Sequence, residues 1–596
     1  MKSPDEWVAG AWMDSVLRWL RRYQPFVLTV TAIALIAFLL PSESNETNSA
    51  TGVSQVASGV GEEASGVNTD EPASTATTAA RRSEQGGQAA APSQVLSYEE
   101  AKQQGVPLVA NCDQNSKRVS IPSFGAPPCV QRFTGSNGGA THQGVTKDKI
   151  KVALYIAQDN PAADAILKAA GADDSREEVV QQNREWAQYY EAHYNTWGRK
   201  VEIVVVDGSG AATDDAAAKS DAIKVATQIK AFVSWGSPNN TYVNEVVARG
   251  VMCMCTVELP NALYEKWAPH VWSTLQSADQ TYKLLTEYMV KRLAGRKAQW
   301  AGDPAIQQKQ RVFGLLQYDT KDFAYKSAAL YLERELRKHG IKLIISYFNG
   351  YPDLAANQEQ ARPVIQRMKE AGATSLICGC DPFAPIFFTQ EATRQLYRPE
   401  WINIGSALTD TSFFGRTYDQ DQWSHNFGLG QLVSRLPEQL SDAYRVYTWH
   451  FGKEPTARAG YGVIRAPIDI FYRGVHMAGG NLTPATFEAG MFDHPLIGSG
   501  KKTVASISWG TKLWPFKDYT SFDDVTEIWW DPNAQGEDEI GNDGRGMYRY
   551  VDGGHRYMPG QWPTSLPRVF DPKGTITIHN AYPAGEEPPS YSRPAK

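Results

Sequence analysis

The sequence predicts an α/β fold of two lobes, each built on a parallel sheet. Two observations carry that expectation. Apolar runs of strand length, IKVALYIA from Ile150, VEIVVVDG from Val201, AFVSWG from Ala231 and VMCMCT from Val251, alternate with helical stretches. A second series in the same rhythm follows Arg311: VFGLLQYD, LIISYFNG, SLICGC and WINIGS. The runs are β-branched and nearly all apolar, as strands buried on both faces must be. The spacers are long enough for the crossover that parallel pairing requires. Two such lobes imply a cleft, and open α/β sheets place ligands at the carboxyl ends of their strands.

Ahead of the lobes lies a targeting segment. Residues 26–40, bounded by Pro25 and Pro41, form an uncharged apolar run. It is shorter than the ~20 residues that span a bilayer and long for a signal core. Arg18, Arg21 and Arg22 precede it with no matching positive charge after it, which orients the downstream chain outside the cytoplasm. The leader 1–25 carries Trp7, Val8, Trp12, Val16, Trp19 and Leu20 on one helical face, suited to the headgroup region. The small residues a signal peptidase needs are poorly supplied by Ser42 and Ser44 or by Asn48 and Ala50. The reading is an uncleaved, single-pass membrane anchor over 26–41, with a cleaved signal and secretion as the alternative.

Residues 42–95 are mostly Ser, Thr, Ala, Gly and Glu and bury too little apolar area to offset ordering entropy. As a flexible coil of ~50 residues this linker spans roughly 40 Å. The extension 96–143 holds Cys112 and Cys129 in a Pro- and Gly-containing stretch, where a bridge contributes on the order of 3 kcal/mol. That disulfide is expected. Cys253, Cys255, Cys378 and Cys380 sit at period two on strands of different lobes, one pair to each. Alternation sends neighbouring Met and Cys to opposite faces, so buried core or a further disulfide is favoured over a soft-metal site.

In their order, the segments GVTKDKIKVALYIA, AFVSWGSPNNTYVNEVVARGVMCMC, VFGLLQYDTKDFAYKSAALYLEREL and AGATSLICGCDPFAP resemble the type I periplasmic binding proteins. Within that group the likeness is to the branched-chain amino-acid and amide-binding family, over residues 144–557. The resemblance implies two Rossmann-like lobes joined by three crossings, near 273–278, 405–410 and 520–525. It divides the chain into lobe 1 (144–275), lobe 2 (276–407), a return to lobe 1 (408–520), closing strands of lobe 2 (521–565) and a tail (566–596). It also implies capture of a small organic ligand, such as an amino acid, an amide or another carboxylate or aromatic compound, for an ABC-type importer whose permease is the membrane partner. A ligand-sensing ectodomain acting through a membrane partner is the alternative.

The site candidates follow from loops at strand ends. Trp235, Ser237, Asn239, Asn240 and Thr241 open a helix, where free backbone N–H groups favour a carboxylate, and the family's second loop would supply Thr256 and Glu258. Asn239 serves equally well as a plain helix cap. From lobe 2, the family's aromatic-Gly segment reads Phe323-Ala324, and the acid that would meet an amino group is displaced to Asp353. Both departures count against an α-amino acid. Tyr318, Phe323, Tyr351 and Phe383 are candidates for an aromatic cleft wall or for core, and Asp381 is a further cleft candidate.

Other classes lack their marks. There is no G-x-S-x-G or H-E-x-x-H, and GSGKK at Gly498 lacks the upstream glycine of a phosphate loop, so no enzyme is predicted. No cofactor and no metal is expected. A net charge of -6 gives no footprint for nucleic acid. Asp538, Asn542 and Asp543 lack the spacing of a calcium loop and read as a hairpin turn. Intact mass of the protein from its native membrane tests the anchor: a mature start near Asn45 or Thr51 would replace the tether with a secreted form.

Overall fold

The computed structural model describes residues 95–594 apart from 257 and 321–323, and within that span the side chain of Thr256 lies outside the description. A short hairpin, β1 (Cys112–Asp113) and β2 (Arg118–Val119), comes first. Cys112 and Cys129 are bridged across it, with Cα atoms 5.5 Å apart. The β-branched runs then form the first lobe's sheet from β3 (Lys149–Ile156), β4 (Lys200–Asp207), β5 (Val233–Trp235), β6 (Met252–Thr256) and β7 (Val271–Ser273). All are parallel, in the order β4-β3-β5-β6-β7.

The second lobe repeats that winding. Strands β8 (Phe313–Asp319), β9 (Leu343–Asn349), β10 (Ser375–Gly379), β11 (Glu400–Asn403) and β12 (Asn426–Gly430) lie parallel in the order β9-β8-β10-β11-β12. Four antiparallel strands extend it: β13 (Val525–Glu537), β14 (Asp543–Val551), β15 (Arg556–Tyr557) and β16 (Thr575–Ile576). The turn of the long hairpin is closed by Asp538, whose carboxylate accepts from the N–H groups of Ile540 and Asn542 and from Arg416. Its oxygens are thus taken up by the protein. Cys253 lies against Cys255 within β6, and Cys378 against Cys380 at the end of β10.

One expectation is corrected here. Because β12 pairs with β11, the chain stays with the second lobe through Gly430 instead of crossing near 405–410. The NFGLG strand carries no β-branched residue and so gives no sequence signal. It fits because Gly428 lies directly on the backbone of Asn403, where a Cβ would collide. The helices Asp442–Phe451 and Tyr461–Ala478 then join the first lobe's core, packing with Trp186, Tyr190 and Phe232. Among the described residues no helix is long and apolar enough to cross a membrane, and the apolar run 26–40 lies outside them.

Three crossings therefore join the lobes, after β7, after β12 and before β13. Their polar groups are buried and must be paired. Gln276 on the first crossing donates through Nε2 to the Asp524 carbonyl on the third, and its N–H meets Oε1 of Gln431 on the second. Arg556 closes the set, with Nε donating to Asp524 Oδ1 at 2.7 Å and its other nitrogens to the carbonyls of Gln431, Leu432 and Asp524. Both charged side chains of this pair are at most 1 % exposed.

One helix breaks the division into lobes. Pro161–Ala169 follows β3, yet Ala163, Ile166 and Leu167 pack in the second lobe's cluster with Phe383 and Phe414. Its cap residue Asn160 donates to the Pro352 carbonyl at 2.8 Å. The helix is a strap across the cleft. Removing one partner of a buried ion pair leaves an uncompensated charge, at a cost of about 3–5 kcal/mol. Arg556→Ala should lose that much unfolding free energy in a urea titration; a loss below ~1 kcal/mol would mean the crossings are held by something else.

Candidate functional site

Between the lobes lies a cavity of about 160 Å³, walled by Glu258 from the loop after β6 and by residues of the second lobe and hinge. Tyr282 comes from the helix Ala278–Tyr288, Tyr318 and Gln317 from the end of β8, Tyr325 from the start of the next helix, and Tyr351 from the turn after β9. Asp381, Ser406 and Ala407 complete the floor. The strands end here as their parallel winding dictates.

Glu258 crosses the gap. Its Oε2 accepts from the Ala407 N–H and its Oε1 from Gln431 Nε2, both at 2.8 Å. The backbone is left-handed at Glu258 (φ 54°), Ala407 (φ 42°) and Leu408 (φ 70°). Such conformations cost non-glycine residues of order 1–3 kcal/mol each and persist where the surroundings over-determine them. Loss of water around the carboxyl, reinforced by Asp410 nearby, pushes Glu258 up to about 8, against the weaker pull of its two donors. Asp410, also buried, is pushed to about 7.

Asp381 is held differently. Its Oδ1 accepts from the N–H groups of Phe383 and Ala384 at 2.9 Å each, and its Oδ2 from the Tyr351 N–H at 3.1 Å and from Asn357. Burial raises its pKa in spite of these donors. Gly350 makes the arrangement possible, since a Cβ there would strike the Asp381 carboxylate and come within 2.8 Å of the Tyr318 ring. Tyr318 donates to the Tyr351 carbonyl at 3.0 Å, and the Tyr351 ring stacks on Phe383 at 5.4 Å. Gln317 accepts from the Tyr282 hydroxyl and donates to the Tyr318 carbonyl.

Of the sequence candidates, Glu258, Tyr318, Tyr351 and Asp381 meet in this one cavity. The helix-opening loop of the first lobe does not line it. Trp235 is core, 2 % exposed and edge-on to Phe471. Ser237 donates to the Cys255 carbonyl at 3.0 Å. Asn239 caps its helix by accepting from Tyr242 N–H, and its amide donates to Ala212 and Asp215. Thr241 donates to Asp215, and Asn240 offers its carbonyl to Asn244. Asp353 likewise caps the helix Leu354–Glu370 through Ala356 N–H and does not line the cavity. Phe383 backs Tyr351 from the core. Phe323 and the side chain of Thr256 lie outside the described residues.

Sequence reasoning missed Thr281, Tyr282, Gln317, Tyr325 and Ser406. Gln317 left a signal, as the one polar side chain inside the apolar run VFGLLQYD before its final Tyr-Asp. The others sit on helices and turns whose direction only packing fixes.

No protein-family model and no curated protein matches this chain. Its backbone is similar to those of solved solute-binding proteins. One is a solute-binding protein of an ABC transporter from Rhodopseudomonas palustris BisB5, in complex with 3,4-dihydroxybenzoic acid. It is 13 % identical, with a TM-score of 0.44 and coverage of 69 % of this chain and 98 % of the other. A fatty acid ABC transporter substrate-binding protein from Thermomonospora curvata is 12 % identical, with a TM-score of 0.45 and coverage of 73 % and 99 %. A substrate-binding protein from Aeropyrum pernix is 12 % identical, with a TM-score of 0.46 and coverage of 70 % and 97 %. At such scores the likeness carries no functional weight, and the cavity is read from its own residues.

In the unfolded chain Glu258 ionises near its ordinary value of 4.5, but in the fold it keeps its proton until about 8. Across that window the unfolded state binds fewer protons, so this group's contribution to stability falls as pH rises. Glu258→Gln removes the loss. Its stability relative to the native protein should climb between those two pH values and level off above, read by urea unfolding in a pH series; a flat difference would show a Glu258 that is charged in the fold.

Proposed function

We propose that this chain is an extracytoplasmic solute-binding protein that closes two lobes over a small organic ligand. The observation that carries the reading is the cavity itself, bridged by Glu258 and walled by groups from both lobes and the hinge. Three crossings and a shared winding let the lobes move as bodies, and a ligand that contacts both of them shifts the balance toward closure. No reacting group is needed for that, and we read the protein as a binder and not an enzyme. The resemblance in segment order adds an ABC-type importer as the partner that receives the ligand, with residues 26–41 as the membrane tether.

Mass spectrometry of small molecules extracted from the purified protein identifies the cargo, and the extract added back should raise Tm. Tyr351 is 42 % exposed and contributes its ring to the wall, so Tyr351→Ala should fold as the native protein does. Losing one buried ring face costs about 1.5–3 kcal/mol, which is roughly tenfold or more in affinity. If Tyr351→Ala keeps the full shift, the ligand sits elsewhere; if nothing extracts and no solute raises Tm, the binding role is wrong.

A further inference from the structure

We infer that the strap Pro161–Ala169 is a latch on the cleft: it holds the lobes shut in the empty protein, and a solute is admitted when it undocks and melts. The inference rests on the solute-binding reading above and names how that site is controlled. Place comes first. The strap is rooted in the first lobe on both sides, at β3 and at Asp174, whose carboxylate accepts from the N–H groups of Ala459 and Gly460. Its body meets the second lobe between two turns, the one after β9 and the one joining β13 to β14. The crossings leave from β7 and β12, whereas β9 lies at the opposite edge of the second lobe's parallel strands from β12. A fastening there works at the long arm of any hinge motion.

Each end is fixed by one side-chain amide. Asn160 uses both halves of its amide, accepting from Ala163 N–H to start the helix and donating to the Pro352 carbonyl at 2.8 Å. Pro352 follows Tyr351, so this bond holds the turn that carries a wall of the cavity. At the other end Asn542 donates to the Ala170 carbonyl at 2.9 Å. Gly171 (φ 88°) leaves room for it, since a Cβ there would come within 2.6 Å of the Asn542 amide nitrogen. Between the two, Ala163, Ile166 and Leu167 lie in the second lobe's cluster with Phe383 and Phe414. On the cavity floor the bond from Ala407 N–H to Glu258 closes the same gap from inside.

Length decides what happens on release. Helices shorter than about 12–15 residues are marginal in water on their own, and the strap has 9 residues. Its helix therefore depends on docking, and the cap residue that starts it is also the one that fastens it. Undocking removes the apolar contact and melts the strap together, leaving a flexible segment between β3 and Asp174. Such a latch needs no bound solute to stay shut, and a solute enters only as often as the strap lets go.

The test uses the full chain free of solute, refolded from urea with its disulfides intact, so that its failure is distinct from failure of the binding reading. Spin labels on Lys224→Cys in the first lobe and Arg367→Cys in the second, both exposed positions, report the separation of the lobes. The empty native protein should give one short distance population, and Asn160→Ala combined with Asn542→Ala should add a longer one. A longer population already dominant in the empty native protein overturns the latch. So does an unchanged distance when Leu167→Ser is added to that pair. Should the triple variant not fold, hydrogen exchange of the native protein decides. Amides of residues 163–169 should exchange together, at least about tenfold faster than those of the helix Arg176–His193 and at least about tenfold slower than in an unstructured peptide. Exchange as slow as in that helix means the strap lets go only on unfolding, and exchange as fast as in the peptide means it is never docked; either overturns the latch.

Discussion

The buried pairing at the three crossings is the constraint on which the rest of the molecule depends. Gln276 reaches partners 155 and 248 residues away, Gln431 and Asp524, and Arg556 reaches back 125 residues to Gln431. Each is a polar group withdrawn from water, and each is satisfied by a partner on another crossing. Since interior ion pairs gain little over well-packed apolar groups, this network contributes position more than stability. It fixes where the three hinge segments stand relative to one another. Gln431 carries that position into the cleft, because the side chain whose Oε1 accepts from Gln276 also donates to Glu258.

At the cleft the same logic takes a strained form. Glu258 and its partner Ala407 both hold left-handed backbones that side chains disfavour, and the hydrogen bond between them spans the two lobes. Strain of this kind is kept where it is over-determined, here by Gln431 on one carboxyl oxygen and by the Ser406 hydroxyl donating to Cys380 beside it. The strap Pro161–Ala169 adds an apolar contact across the same gap. Opening the cleft would therefore break the contact of Glu258 with Ala407, one apolar face and the hydrogen bonds at both ends of the strap, from Asn160 to Pro352 and from Asn542 to Ala170.

Much of the architecture was legible in the chain. The eight apolar runs named from the sequence all form strands, because a strand buried on both faces has no choice but to be apolar throughout. The bridge of Cys112 to Cys129 was legible for the opposite reason, a stretch with little core of its own. Strands β7 and β12 were not legible. Three residues of VWS and the glycines of NFGLG give no periodicity, and they form strands only because a neighbour offers an open edge. That edge is also why the second crossing comes after Gly430.

By itself, then, the sequence determined the alternation of strand and helix, the two lobes and the strand ends where a site must form. Only the tertiary structure decided which loop residues face the cavity. Ser237, Asn239 and Asp353 had the right chemistry at strand ends, but nearer partners claimed their polar atoms: Cys255, Tyr242 and Ala356. Glu258 reaches the cavity because its partners lie 149 and 173 residues further along the chain. Local hydrogen bonds are written in short-range sequence, whereas contacts of that separation depend on how two sheets and their crossings pack.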